Sequence, residues 1–185
     1  MKVLKFGGSS ISSAKNIENV FNIIKSYESN IVVVFSAFGK TTDDLIKCGK
    51  LASKRDNNYK NVLKSILENH LNICKELFEV KNQTEILSHV QKHFNDLGSL
   101  IEGVYNLKEF SKKTYDTISG FGELLSYYVV GKLGLQRGLD FELKDSREII
   151  TTQLIKLGSI QIDYSLTERK WKDFSEKTKN KIIVM

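Results

Sequence analysis

The chain has 185 residues, a formal net charge of +6 from 28 basic and 22 acidic side chains, two cysteines and no proline. About nine prolines are expected at this length, and their absence excludes Pro-rich linkers, PxxP ligands and a cis-proline turn. With 41% hydrophobic and 27% charged residues, the composition is that of one globular domain with material for a core, and no run approaches the roughly 18–20 apolar residues of a membrane span.

The charge is mostly lysine: 24 of the 28 basic residues, interleaved with Asp and Glu along helical segments. A nucleic-acid surface would cluster its charge, favour arginine and place aromatics between basic residues. The pattern is that of a solvated face, so neither a nucleic-acid nor a membrane partner is expected. The N-terminus lacks the apolar segment and cleavage site of a secretory signal. Cys48 and Cys74 are too few for a disulfide framework and too far apart for a CxxC motif, which places the chain in a reducing, cytoplasmic setting.

Residues 2–6 read as a short strand ended by Gly7-Gly8-Ser9-Ser10. A helix follows, capped by Ser12 or Ser13, with Ile17, Val20, Phe21 and Ile24 on one face. Ile31 to Phe35 is an unbroken β-branched run of the kind buried on both faces of a parallel sheet. Together these make a right-handed βαβ unit.

From Thr41 to about Leu135 the pattern is helical, with connections expected at Asp56-Asn57-Asn58 and Lys81-Asn82-Gln83. A further helix is expected around Thr114–Lys132, ended by Gly134 and Gly138. Asp140 to Lys144 reads as a strand, Trp171 to Thr178 as a helix, and Lys181 to Met185 as the first half of a buried strand.

Three segments could carry chemistry. In the first, Gly7 and Gly8 let the backbone approach a ligand, a helix N-terminus adds partial positive charge, and Lys5 supplies a full one; this suits a polyphosphate, or is a plain strand–helix turn. The second, Ser36 to Asp43, imitates the end of a P-loop at Gly39-Lys40-Thr41. The spacing GxxxxGK[ST] would put a glycine where Val34 stands, so the Walker pattern fails. Ser36, Thr41 and Thr42 still sit where α/β folds bind ligands, although Thr42-Asp43 also suits a helix cap. In the third, Gly120 and Gly122 each cost about 1 kcal/mol inside a helix. Close packing on the sheet or ligand access to Glu123 would compensate. His89 and His93 have an i, i+4 spacing, but Val90 follows His89 where HExxH needs glutamate, so no metal held by protein ligands is expected.

In combination these segments resemble a known family. Lys5-Phe6-Gly7-Gly8-Ser9-Ser10 is similar to the KFGG[ST]S signature of aspartokinases, within the amino-acid kinase family. The resemblance continues in Val34 to Ala37 with Gly39 to Asp43, in Phe121 to Ser126, and in Asp145 to Glu148. It implies an α/β, three-layer αβα sandwich with a mainly parallel sheet, residues 1–185 forming the N-terminal portion of a kinase domain with a helical subdomain at about 43–110. Gln153 to Ile160 departs from the family pattern, and the kinase domain is expected to continue past Met185 towards its remaining nucleotide contacts.

The implied reaction is ATP-dependent phosphorylation of the side-chain carboxylate of L-aspartate to an acyl phosphate, on the route to lysine, threonine and methionine. ATP enters as its Mg²⁺ complex, and the full-length form is expected to be a homo-oligomer. By resemblance Lys5 is the catalytic residue holding the transferring phosphoryl group, with Gly7, Gly8, Ser9 and Ser10 around the phosphates. Ser36, Thr41 and Thr42 would line the aspartate or phosphate site, and Glu123 would bind the substrate amino group. Arg147 receives no role beyond a structural ion pair. Little kinase activity is expected of these 185 residues alone. The alternative is a non-catalytic, kinase-like binding or assembly module whose Lys181–Met185 strand offers an exposed sheet edge.

Overall fold

A computed structural model describes residues 1–27, 30–155, 159–179 and 181–185. Its centre is a four-stranded, fully parallel sheet in the order β1 (Lys2–Phe6), β2 (Ile31–Phe35), β6 (Ile182–Val184), β3 (Phe141–Leu143). The register aligns Leu4, Val33 and Val184 across the first three strands, and Leu143 opposite Val184. One sheet face therefore carries Phe6, Ile31, Val33, Phe35, Phe141, Ile182 and Val184, all buried.

Helices α1 (Ala14–Lys25) and α6 (Phe121–Gln136) cover that face. Helix α1 starts at Ser13, whose hydroxyl accepts from Asn16 N at 3.3 Å, and it buries the predicted Ile17, Val20, Phe21 and Ile24. The Phe21 ring meets Phe141 edge-on, at 6.3 Å between centroids. Helix α6 presents Gly131 and Gly134 to the sheet. A Cβ on Gly134 would lie 2.2 Å from the Phe141 ring, so this glycine sets a helix–strand distance and does not end the helix. The helix stops near Gly138, at φ +74.

Beyond the sheet lie α2 (Thr41–Ser53), α3 (Asn58–Leu77), α4 (Val80–Leu107) and α5 (Lys112–Ser119), with a core of Leu45, Cys48, Ile66, Ile73, Val90, Leu97 and Ile101. The α2–α3 connection at 54–57 is where the polar run placed it. The next break differs. Lys81-Asn82-Gln83 lies inside the first turn of α4, and the chain turns instead at Phe78, which is extended and 3% exposed. Gln83 Nε2 donates to Lys75 O and Phe78 O, at 3.1 and 2.8 Å, so the polar residue closes the end of α3 from within the next helix. The expected Thr114–Lys132 helix is two helices, α5 and α6, joined at Gly120.

The C-terminal part departs furthest from expectation. Thr152–Leu154 (β4) and Ile160–Ile162 (β5) form an antiparallel hairpin that the sequence pattern did not announce. Residues 156–158 of that segment lie outside the described residues. Helix α8 (Tyr164–Ser175) begins before the expected Trp171, because Asp163 Oδ1 accepts from Leu166 N at 2.9 Å and caps it. Strand β6 is not an edge: it pairs with β2 on one side and β3 on the other, so the exposed edge expected of Lys181–Met185 does not exist. It is interior because all three of its residues are apolar and buried. The edges are β1 and β3.

Candidate functional site

The candidate residues gather where β1 and β2 end and α6 begins, at the carboxyl ends of the strands. After β1 the chain makes a 3₁₀ turn, Gly8–Ile11, in which Ser10 N donates to Gly7 O at 2.9 Å. The α-helix proper starts only at Ala14, so the Gly7-Gly8 amides belong to this turn and not to an α-helix N-terminus. Gly8 is fixed by the neighbouring loop: Gly39 N donates to Gly8 O at 3.1 Å, and a Cβ on Gly8 would lie 2.5 Å from Gly39 O. Gly39 itself is at φ +53, in the region that glycine tolerates best. The two loops are thereby locked edge to edge.

Lys5 is exposed, and its ammonium lies beside Gly7, 3.6 Å from where a Cβ would stand. Among the described residues it forms no ion pair. Ser9 contributes its carbonyl to Asn16 Nδ2 at 2.9 Å, which anchors the turn to α1. On the second loop Ser36 N donates to Phe6 O at 3.0 Å, tying the ends of β1 and β2 together. Thr41 is buried and its hydroxyl donates to Phe38 O at 2.6 Å, closing the first turn of α2.

Thr42 and Glu123 meet across the site. Thr42 Oγ1 donates to Glu123 Oε1 at 3.3 Å, while Glu123 Oε2 is buried without a hydrogen-bond partner. Two features of α6 make the meeting possible. Gly122 brings the helix against the β2–α2 loop: its Cβ would lie 2.6 Å from Ala37 Cβ. Gly122 thus provides close packing, but against Ala37 and Thr41 of the β2–α2 connection and not against the sheet as the sequence suggested. Ser126, fully buried, has its hydroxyl 2.6 Å from Ser36 O and 3.0 Å from Glu123 O, and fastens α6 to the end of β2. Ser126 lay inside the quoted motif without a role; a lone serine within an apolar helix was its signal.

A cleft of about 1160 Å³ opens beside this junction, lined among others by Glu123, Tyr127, His93, Asp145 and Arg147. Glu123 lies on its wall, whereas Lys5, Gly7, Gly8, Ser9, Ser10, Ser36, Thr41 and Thr42 lie outside the lining. Asp145 and Arg147 form the expected ion pair, with Arg147 Nη2 2.6 Å from Asp145 Oδ2. The guanidinium holds the Asp145 carboxyl below its ordinary range. Burial, helped by Asp145, Glu148 and Glu142, pushes the Tyr127 phenol up to about 12. His89 stacks on Tyr128 at 3.5 Å and on His93 at 4.6 Å, so this pair is part of an aromatic stack on the cleft's flank.

A family model described as the amino acid kinase family matches residues 1–185. The chain belongs to the amino acid kinase family. Among its relatives, it is 26% identical over 183 residues to the bifunctional aspartokinase/homoserine dehydrogenase 2, chloroplastic, of Arabidopsis thaliana, covering 98% of this chain and 20% of that protein. It is 37% identical over 128 residues to the chloroplastic aspartokinase 2 of the same plant, covering 67% of this chain and 22% of that one. The chain thus spans about a fifth of the length of these relatives. Among solved structures, E. coli aspartokinase III in complex with aspartate and ADP superposes at a TM-score of 0.84 with 19% identity, over 100% of this chain and 40% of that one. At that identity the likeness shows the fold, an amino acid kinase fold with its parallel sheet and helical layer.

Proposed function

We propose that this member of the amino acid kinase family forms the aspartate-binding part of an aspartate kinase, which uses ATP with Mg²⁺ to phosphorylate the side-chain carboxylate of L-aspartate. The observation that carries this reading is Glu123, held by Thr42 through one oxygen while the other is buried and unpartnered on the cleft wall. A buried carboxylate oxygen without a donor is costly, and a ligand ammonium supplies that donor. The similarity to aspartokinases points the same way.

In this reading the aspartate carboxylate, already ionised, attacks the γ-phosphorus of ATP while the bond to the ADP oxygen breaks, so no proton has to be moved. The protein's task is to align two anions and neutralise charge. Lys5, exposed and without an ion pair beside the Gly7-Gly8 turn, is placed to meet phosphoryl oxygens, with Ser9 and Ser10 on the same turn. Thr42 orients Glu123, and Ser36 and Thr41 hold the loop that carries Thr42. Two buried free thiols, Cys48 and Cys74, support a cytoplasmic setting.

Calorimetric titration of the chain with L-aspartate and with MgADP tests the reading. Aspartate binding that disappears in Glu123→Gln supports it. Absence of aspartate binding, or binding indifferent to Glu123→Gln, overturns it.

A further inference from the structure

Behind the cleft wall, a small cavity of about 10 Å³ lies where α2, α3, α4 and α6 meet. Most of its lining is apolar, with Leu45, Phe94 and Leu125 among it, and the polar side chains on its wall are Thr41, His70 and His93. His93 also lines the cleft, so its ring stands between the two spaces. Gly122 closes the cavity from α6: a Cβ there would lie 3.1 Å from Thr41 Cγ2, and without one the helix comes right up to the start of α2.

Two nitrogens of these side chains are buried without a hydrogen-bond partner among the described residues, His70 Nε2 and His93 Nδ1. The His70 ring is fixed. Its Nδ1 lies 2.7 Å from Ile66 O, one turn back on its own helix, and its faces and edges meet Phe38 and Phe94 at 5.4 and 5.3 Å between centroids. A carbonyl oxygen only accepts, so Nδ1 carries the proton of that bond, and in the neutral ring Nε2 is a bare acceptor. Burial keeps the ring neutral at physiological pH. The Thr41 hydroxyl is committed as well: its hydrogen goes to Phe38 O at 2.6 Å, which leaves oxygen lone pairs that can accept.

A cavity of this size admits a single water, and a buried water makes about three hydrogen bonds to polar groups that otherwise lack a partner. The wall offers three partners around one water-sized space. Their roles follow by elimination. Water has two hydrogens, and His70 Nε2 and Thr41 Oγ1 can only accept from it, which uses both. The third bond has to run the other way, from His93 Nδ1–H to the water oxygen. With Nδ1 bare, three acceptors would compete for two hydrogens.

We propose that Thr41 Oγ1, His70 Nε2 and His93 Nδ1 form a binding site for one buried water molecule, which ties α2, α3 and α4 together behind the cleft and fixes a proton of the His93 ring on Nδ1. The site does not depend on what the cleft binds. Its effect on the cleft is to leave the neutral ring of a wall residue with Nε2 as an acceptor.

The test is nuclear magnetic resonance of the ¹⁵N-labelled 185-residue chain, read at pH 8, where an ordinary histidine is neutral. Long-range proton–nitrogen correlations distinguish a protonated ring nitrogen from a bare one, and single substitutions assign the three histidines. His70 and His93 are both expected as Nδ1–H forms, whereas an unconstrained ring favours Nε2–H. His93 in the Nε2–H form overturns the proposal. His70→Phe keeps an aromatic ring but has no Nε2, so the water gains a hydrogen for His93 Nδ1 and the His93 ring should shift to Nε2–H. A merely structural role for His70 would not move that tautomer, and an unchanged His93 in this variant overturns the shared water. Thr41→Val frees the same hydrogen and decides the matter should His70→Phe fail to fold. A crystal structure of the unsubstituted chain should show one ordered water within about 3 Å of all three atoms, and a dry cavity there overturns the site.

Discussion

Thr42 and Glu123, 81 residues apart, share a hydrogen bond of 3.3 Å that fixes one carboxylate oxygen and leaves the other without a donor. Removing the hydroxyl should loosen the carboxylate without exposing it. Thr42→Val is therefore expected to keep the fold and weaken L-aspartate binding by about three- to tenfold, the value of one ordinary hydrogen bond of this length. Glu123→Gln should remove detectable binding. Titration of both proteins alongside thermal melts checks the pair, and an unchanged affinity in Thr42→Val would separate that hydroxyl from the ligand.

Lys5 offers a cleaner separation of function from stability. It is exposed and makes no ion pair among the described residues, so Lys5→Ala should alter unfolding free energy by less than about 0.5 kcal/mol. Affinity for a non-hydrolysable MgATP analogue should nevertheless fall at least about tenfold, read by calorimetry.

Two glycines predict opposite signs. Gly8→Ala drives a methyl to 2.5 Å from the Gly39 carbonyl, a backbone atom that cannot rotate away, and is expected to cost about 1–3 kcal/mol. Gly103 sits within α4 and a Cβ there meets nothing within 4 Å. Gly103→Ala should stabilise by up to about 1 kcal/mol through helix propensity alone. Urea midpoints of the two variants give the comparison.

His70 is fully buried, with Nδ1 2.7 Å from Ile66 O, and burial lowers its pKa below 6.5. The unfolded chain takes up a proton near pH 6.5 while the folded one resists it, so this residue stabilises the fold above that pH. The contribution is lost as pH falls below about 6.5. Stability measured from pH 7.5 to 5 should decline, and His70→Gln should flatten the decline.

The buried thiols act at the other end of the scale. Burial pushes Cys48 to about 11 and Cys74 to about 12, so neither is a thiolate at neutral pH. A thiol reagent should label the native chain at pH 8 at least about a hundredfold more slowly than the unfolded chain.

What could be read in advance was local. The β-branched run Ile31–Phe35 and the spacing of Ile17, Val20, Phe21 and Ile24 state their own environment, and both elements formed there. The α3–α4 joint was misplaced because it contains no glycine or proline, and because polar Asn82 and Gln83 serve a helix start that looks like a loop. The hairpin escaped notice because β4 and β5 are exposed on both faces and need no inward–outward alternation. Within the site, the Lys5, Gly8, Thr42 and Glu123 segments stood out as motifs. Tyr127 did not, and His93 and Arg147, although both were noted, were given no place in the site, since a cleft wall built from α6, α4 and the segment after β3 that holds the short helix α7 (Ser146–Ile149) exists only once those parts meet.

The place of β6 between β2 and β3 also orders events in time. Ile31 pairs with Ile182, 151 positions later, so the two halves of the sheet share no direct strand contact until this segment arrives. Joining them requires the most distant strand pairing among the described residues, which is slow compared with forming α2, α3 and α4 from neighbouring residues. During synthesis the helical layer can assemble early, while the inner edge of β2 waits, apolar and unpaired, for its partner. That interval is when the chain is most exposed to mispairing, and a chaperone that binds extended apolar segments would act there.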